Sequence, residues 1–137
     1  MRTHLLLALL PLLSTGVVMA AQNPTATAPP PIVNTVMVQT LPDYPGKEVL
    51  MITVEYPPGG ADPVHRHDAH GFIYVLEGTI VMGVAGGKEV TLTPGQSFHE
   101  GPKDLHTVGR NASQDKSAKF LVFLLKYQNK PAVIPVD

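Results

Sequence analysis

The chain has 137 residues, a length that fits one domain rather than two. Its net charge is −1, which excludes the strongly basic field that proteins binding nucleic acid or anionic membranes use. It contains no cysteine, so disulfides, thiolate metal ligands and cysteine nucleophiles are also excluded. With 12 Gly and 14 Pro and only 15% charged residues, the composition favours short strands joined by turns.

The amino-terminal segment has the pattern of a secretory signal over residues 1–20. Arg2 precedes an apolar run at 5–13, and small residues stand at the positions that a signal peptidase reads. A membrane-spanning helix needs about 20 apolar residues, more than this run provides. We therefore expect cleavage, a periplasmic or secreted protein without a membrane anchor, and a Pro-rich linker over 21–31.

From residue 32 onward, apolar runs are cut by Gly and Pro clusters, which is typical of an all-β domain. The predicted strands are 33–40, 48–56, 72–76, 79–84, 89–93, 96–100 and 119–127. Turns are predicted at 57–60, 77–78, 86–87 and 94–95. Residues 32–137 thus predict one β-sandwich or small jelly-roll barrel.

Histidine is concentrated in the middle of the chain, between His65 and His106. In an extended backbone, residues i and i+2 point to the same side, so His65 and His67 present two imidazoles together. Neutral imidazole is a common ligand of divalent transition metals. The pair predicts a metal site, and two exposed loop histidines are the alternative.

The order of Gly, His and Pro residues around this pair forms two successive motifs. In chain order they are Gly59, His65, His67, YVLEG at 74–78, LTPGQ at 92–96, Pro102, His106 and Asn111. This arrangement resembles the two conserved motifs of the cupin superfamily and extends over residues 48–127. The resemblance implies an RmlC-like jelly-roll β-barrel with a metal inside one end, often as a homodimer.

The resemblance assigns His65, His67 and His106 as ligands of one divalent ion. Metal-binding cupins add a glutamate four residues after the second histidine, and this chain has Gly71 there. The departure leaves either a site of three histidines or a site that another residue completes.

Two residues are candidates to complete the site or to transfer a proton. His70 lies one position from the motif glutamate; strict alternation points it outward, and a bulge at 68–69 would turn it inward. Glu100 ends a predicted strand, where it is either a ligand, a general base or a solvated carboxylate.

The resulting hypothesis is a metal-dependent enzyme acting on a small-molecule substrate, with dioxygenase-like oxidation favoured. Glu100 or His70 would move the proton, and the ion would be Fe, Mn, Ni, Zn or Cu. The alternative is a non-catalytic cupin that binds a small ligand or a metal as a sensor or carrier. Neither hypothesis involves nucleic acid or a membrane, and a homodimer is expected.

Overall fold

A computed structural model describes residues 27–136 of the chain. The predicted signal at 1–20 and the first residues of the predicted linker lie outside these described residues. Within residues 27–136 no helix has the length and apolarity to cross a membrane. The described chain is built from strands, as the composition and the turn pattern predict.

Ten strands follow one another along the described chain. They are β1 (Ile32–Thr40), β2 (Lys47–Tyr56), β3 (His65–Arg66), β4 (Ala69–Glu77), β5 (Ile80–Val84), β6 (Val90–Leu92), β7 (Ser97–Glu100), β8 (Leu105–Asn111), β9 (Ala118–Tyr127) and β10 (Ile134–Pro135). Each predicted strand is confirmed to within a few residues. Strands β3, β8 and β10 were not predicted, because none of them is an apolar run of useful length.

The strands form two five-stranded sheets that face each other. One sheet has the order β1-β2-β9-β4-β7 and the other has the order β10-β3-β8-β5-β6. All pairings are antiparallel, and successive strands often lie in different sheets. The result is the predicted jelly-roll barrel.

Strand β9 shows how the core is filled. Its buried positions alternate with half-buried ones, and Phe120, Val122 and Leu124 point between the sheets. It lies between β2 and β4, so the apolar run at 120–125 is a central strand rather than an edge strand. Gly78 turns the chain from β4 into β5 with φ +73, where a Cβ would lie 2.7 Å from the Cα of Ala118.

Two polar contacts tie loops to the barrel. The Asn111 amide at the end of β8 donates to the carbonyls of Tyr56 at 3.1 Å and Lys116 at 2.8 Å. The carbonyl of Pro29, near the end of the predicted linker, accepts the backbone N–H of Ala61 at 3.1 Å. The last linker residues therefore contact the domain.

Candidate metal centre

The two sheets each contribute one cross-strand pair to a common site. His65 on β3 lies directly opposite His106 on β8, and Gly71 on β4 lies directly opposite Glu100 on β7. His67 follows β3, where the chain crosses from one sheet to the other. The site therefore lies between the sheets, with histidines from one side and a carboxylate from the other.

Four side chains converge there, and all of them are at least 93% buried. The Nε2 atoms of His65 and His67 are 3.1 Å apart, and His65 Nε2 is 3.3 Å from His106 Nδ1. The Glu100 oxygens lie 3.2 Å from His67 Nε2 and 3.5 Å from His106 Nδ1. Two ligand atoms that share an ion at about 2.1 Å lie about 3.0 to 3.4 Å apart for angles of about 90° to 110°. The three histidines thus have the spacing of metal ligands, and Glu100 lies next to two of them.

The hydrogen bonds of two rings determine which nitrogen carries the proton. His65 Nδ1 donates to the Pro63 carbonyl at 2.8 Å, and His67 Nδ1 donates to the Ala132 carbonyl. A carbonyl oxygen only accepts, so each Nδ1 carries hydrogen and each Nε2 of a neutral ring carries a lone pair. Two lone pairs that face each other at 3.1 Å repel unless a proton or a metal cation lies with them.

The directions of the pKa shifts indicate which side chains carry a proton when no metal is bound. Burial would lower the pKa of His67, but its hydrogen bonds to Glu100 and Ala132 outweigh burial and raise it. Burial would raise the pKa of Glu100, but the contacts with His67 and His106 outweigh burial and lower it. At His106 burial dominates, and the pKa is lowered. The directions of these shifts favour a protonated His67 beside an ionised Glu100 and a neutral His106.

Glu100 lies opposite Gly71 and can take the place of the glutamate that is missing from position 71. A Cβ on Gly71 would lie 3.0 Å from both Cγ and Oε1 of Glu100, so the Glu100 side chain fills the space that a side chain at 71 would enter. The neighbouring strand thus supplies a carboxylate directly opposite the position where the resemblance leads us to expect a glutamate. A side chain at 71 would be in tight contact with Glu100, which would have to shift by a few tenths of an ångström.

Two buried atoms in the site lack a hydrogen-bond partner among the described residues. They are Oε2 of Glu100 and Nε2 of His106. An unpaired buried carboxylate oxygen costs on the order of 1–3 kcal/mol or more, and a cation nearby would remove that cost. Together with the three imidazoles, this donor set fits a divalent transition metal ion.

The remaining predicted site residue lies elsewhere. His70 is exposed on the outer face of the sheet, because Ala69 and Gly71 on either side of it point inward. No bulge interrupts β4 at 68–69; its irregularity falls between Val75 and Glu77. His70 Nδ1 lies 3.2 Å from His99 Nε2, and the two rings are nearly parallel. The structure thus separates His70 from the three inner histidines.

A cavity of about 390 Å³ opens beside the histidines and extends between the sheets. Its walls include Tyr56 and Asp62, which the sequence analysis did not identify. The Tyr56 hydroxyl donates to Asp62, and burial, with the Asp62 charge next, raises the pKa of Tyr56 well above its ordinary range. Gly109 leaves room for this pair, since a Cβ there would lie 2.7 Å from the Tyr56 hydroxyl. Neither residue stands in a motif, so only the fold reveals them.

Comparison with known proteins agrees with this architecture. The profile of the cupin domain family matches residues 52–124, which is more than half of the chain. The chain belongs to the cupin superfamily. No curated protein matches it in sequence.

Several solved structures share the fold at low sequence identity. The polyketide cyclase RemF from Streptomyces resistomycificus is 23% identical with a TM-score of 0.59, over 78% of this chain and 71% of that one. A cupin domain from Bordetella pertussis is 20% identical with a TM-score of 0.58, over 74% and 98%. An oxalate oxidase is 24% identical with a TM-score of 0.56, and the match spans 77% of this chain but 54% of the oxidase. The DMSP lyase DddQ from Ruegeria pomeroyi is 22% identical with a TM-score of 0.56, over 64% of this chain and 43% of the lyase.

Proposed function

We propose that this chain is a metal-dependent enzyme acting on a small molecule, with one divalent ion held by His65, His67, His106 and Glu100. The observation that carries the proposal is the convergence of three buried imidazoles, each of which offers a ligand atom within 4.8 Å of the other two. We assign Glu100 as the fourth ligand because its oxygens are as close to the histidine nitrogens as those nitrogens are to one another.

A divalent ion bound there would supply Lewis-acid or redox chemistry, and dioxygenase-like oxidation is the reaction class that we favour. The carbonyls of Pro63 and Ala132 orient the rings of His65 and His67. Tyr56 keeps its hydroxyl proton on the bond to Asp62, so the cavity presents a hydrogen-bonded phenol rather than a phenolate base. The sheets exclude water from the ligand set, since each of the four side chains is nearly fully buried. His70 has no part in this proposal because it lies on the outer face.

The first experiment is elemental analysis of the protein purified without added metal, followed by oxygen uptake on catechols, flavonols and 1,3-diketones. We expect about one transition metal ion per chain and turnover on at least one substrate. Full metal occupancy without oxygen uptake on any substrate would support the non-catalytic sensor or carrier instead. No bound metal, even after dialysis against Fe, Mn, Ni, Zn or Cu, would contradict the metal-dependent enzyme and would favour a carrier or sensor of a small ligand.

We also propose export and a homodimer. The sequence of residues 1–20 supports export, and amino-terminal sequencing of the protein from its natural compartment should find the chain starting after Ala20. The dimer is supported by β1, an edge strand whose nine residues are all exposed, including Val36 and Val38 at 55% each. Light scattering should give twice the monomer mass for the parent and the monomer mass for Val36→Lys.

A further inference from the structure

The wall of the cavity beside the candidate metal centre separates into a polar end and an apolar body. The polar end holds the three inner histidines with Glu100, Asp62 and Tyr56. The body is formed mainly by aliphatic and aromatic side chains from β1, β2, β4, β5 and β9, among them Ile52, Phe120 and Leu124, with Thr35 as a polar exception. Small-molecule sites occupy about 300–1,000 Å³, so a cavity of about 390 Å³ is large enough for a compact organic ligand.

No lysine or arginine is among the described residues that line this cavity, whereas two carboxylates are. A carboxylate or phosphate ligand needs a guanidinium or ammonium partner in so apolar a space, since an unpaired buried charge is strongly unfavourable. Among the described lining residues, the charges offered to a ligand are those of Glu100 and Asp62, to which the proposed function adds one divalent ion. The polar end of the cavity then has no net charge, because two carboxylates balance the divalent cation and the three imidazoles are neutral.

We propose that the natural ligand of this cavity is an uncharged, mainly apolar compound that directs one hydroxyl or keto oxygen at the histidine end. The apolar body would pack on the carbon skeleton, and the single oxygen would meet the cluster of polar groups at the histidine end. The inference deepens the proposed function and rests on it for the charge of the ion. It sets this chain apart from the oxalate oxidase of similar fold, because oxalate is a dianion.

Three probes of one shape test the charge preference: 2-naphthol, which is neutral, 2-naphthoate, which is an anion, and 2-naphthylmethylammonium, which is a cation. Their affinities are measured by calorimetry on the metal-loaded protein and on the protein after chelation, with metal content determined on the same samples. We expect 2-naphthol to bind at least about tenfold more tightly than either ion to the loaded protein. Equal or tighter binding of 2-naphthoate, or no detectable binding of 2-naphthol, would overturn the inference.

A lysine introduced into the cavity wall tests whether the probes bind in the cavity and should shift the ratio of affinities towards the anion. Val133 lines the cavity and is 46% exposed, while Val136 is 41% exposed and does not line it, so Val133→Lys and Val136→Lys are a matched pair. We expect Val133→Lys to move the ratio of affinities towards 2-naphthoate, and Val136→Lys to leave it at the parent value. Equal ratios in both variants would place the probe outside the cavity and would contradict the inference.

Metal content separates the two proposals. If the protein binds metal but prefers 2-naphthoate, the inference on the ligand fails and the metal centre stands. If the chelated protein binds 2-naphthol but takes up no metal, the proposed function fails and the neutral apolar ligand stands.

Discussion

Two groups of histidines in this molecule have almost the same spacing and opposite surroundings. In the inner group, His65 Nε2 lies 3.1 Å from His67 Nε2, and in the outer pair His70 Nδ1 lies 3.2 Å from His99 Nε2. The three inner rings are buried, and the Nδ1 atoms of His65 and His67 are bonded to backbone carbonyls, whereas the outer rings are exposed. In the outer pair, one N–H···N hydrogen bond joins His70 and His99, because either ring can carry the donor hydrogen. Proximity of imidazoles alone therefore does not define a metal site; burial and an imposed tautomer do.

The largest expected difference between the groups is in bound metal. His106→Ala should lower metal affinity more than about a hundredfold, since it removes a ligand from a buried site. A metal at a hundred times its Kd adds about 2.7 kcal/mol to the folded state, so the parent should gain about 10 °C in Tm on metal addition and the variant should not. His99→Ala on the outer face is the matched control and should retain both. Equal metal content in the two variants would remove the distinction between the groups.

Moving the carboxylate between strands sharpens the same comparison. Glu100→Gln should weaken metal binding by about ten- to a hundredfold because it keeps the shape but removes the charge. The double variant Glu100→Gly/Gly71→Glu should recover metal relative to Glu100→Gly, since the new side chain enters the vacated space. Gly71→Glu alone overfills that space and should cost about 1–3 kcal/mol of stability. Metal content and denaturant unfolding check each step; full metal binding by Glu100→Gln would make Glu100 a base instead.

The metal-free protein should be most stable near pH 6.5. The raised pKa of His67 stabilises the fold below its ordinary value of about 6.5, and this contribution is lost as pH rises through the folded pKa. The lowered pKa values of His106 and Glu100 act in the opposite direction, because their contributions are lost as pH falls through the folded values. Urea unfolding between pH 4 and 9 should therefore show a maximum near about pH 6.5.

Metal binding should have a different pH dependence from stability. The proton that the Glu100 contact holds on His67 must leave before the ion binds, so affinity should rise with pH through the raised pKa of His67. Calorimetry in buffers of different ionisation enthalpy should show proton release on binding at pH 6. Metal affinity that does not change between pH 6 and 8 would argue against His67 as a ligand.

The smallest expected effects belong to the outer pair. His70→Ala and His99→Ala each remove one exposed hydrogen bond, so stability should change by no more than about 0.5 kcal/mol. Neither substitution should alter the metal content or the pH of maximum stability of the metal-free protein. A loss of metal in His70→Ala would indicate that His70 is a ligand and would contradict its outward orientation on β4.

The fold was predictable to a large extent because apolar runs and turn residues report on local structure. Strands β2 and β9 have continuous apolar runs, and their predicted ends differ from the observed ends by one residue. Strand β8 was not predicted since His106, Gly109 and Asn111 occupy inward positions that usually hold apolar residues. His106 faces the candidate metal centre, Gly109 leaves room for Tyr56, and Asn111 donates to a backbone carbonyl. Because these roles need polar or small side chains, the strand has no apolar run.

The sequence by itself determined the class of the fold and the three histidines, because motif order and strand periodicity are properties of neighbouring residues along the chain. Strict alternation pointed His70 outward, with a bulge at 68–69 as the alternative, and the structure shows His70 exposed on the outer face. Only the tertiary structure decided that Glu100 fills the place beside Gly71, that the Ala132 carbonyl orients His67, and that Tyr56 and Asp62 line the cavity. Each of these contacts joins strands or segments distant in sequence, and register between such strands is a result of packing the whole barrel.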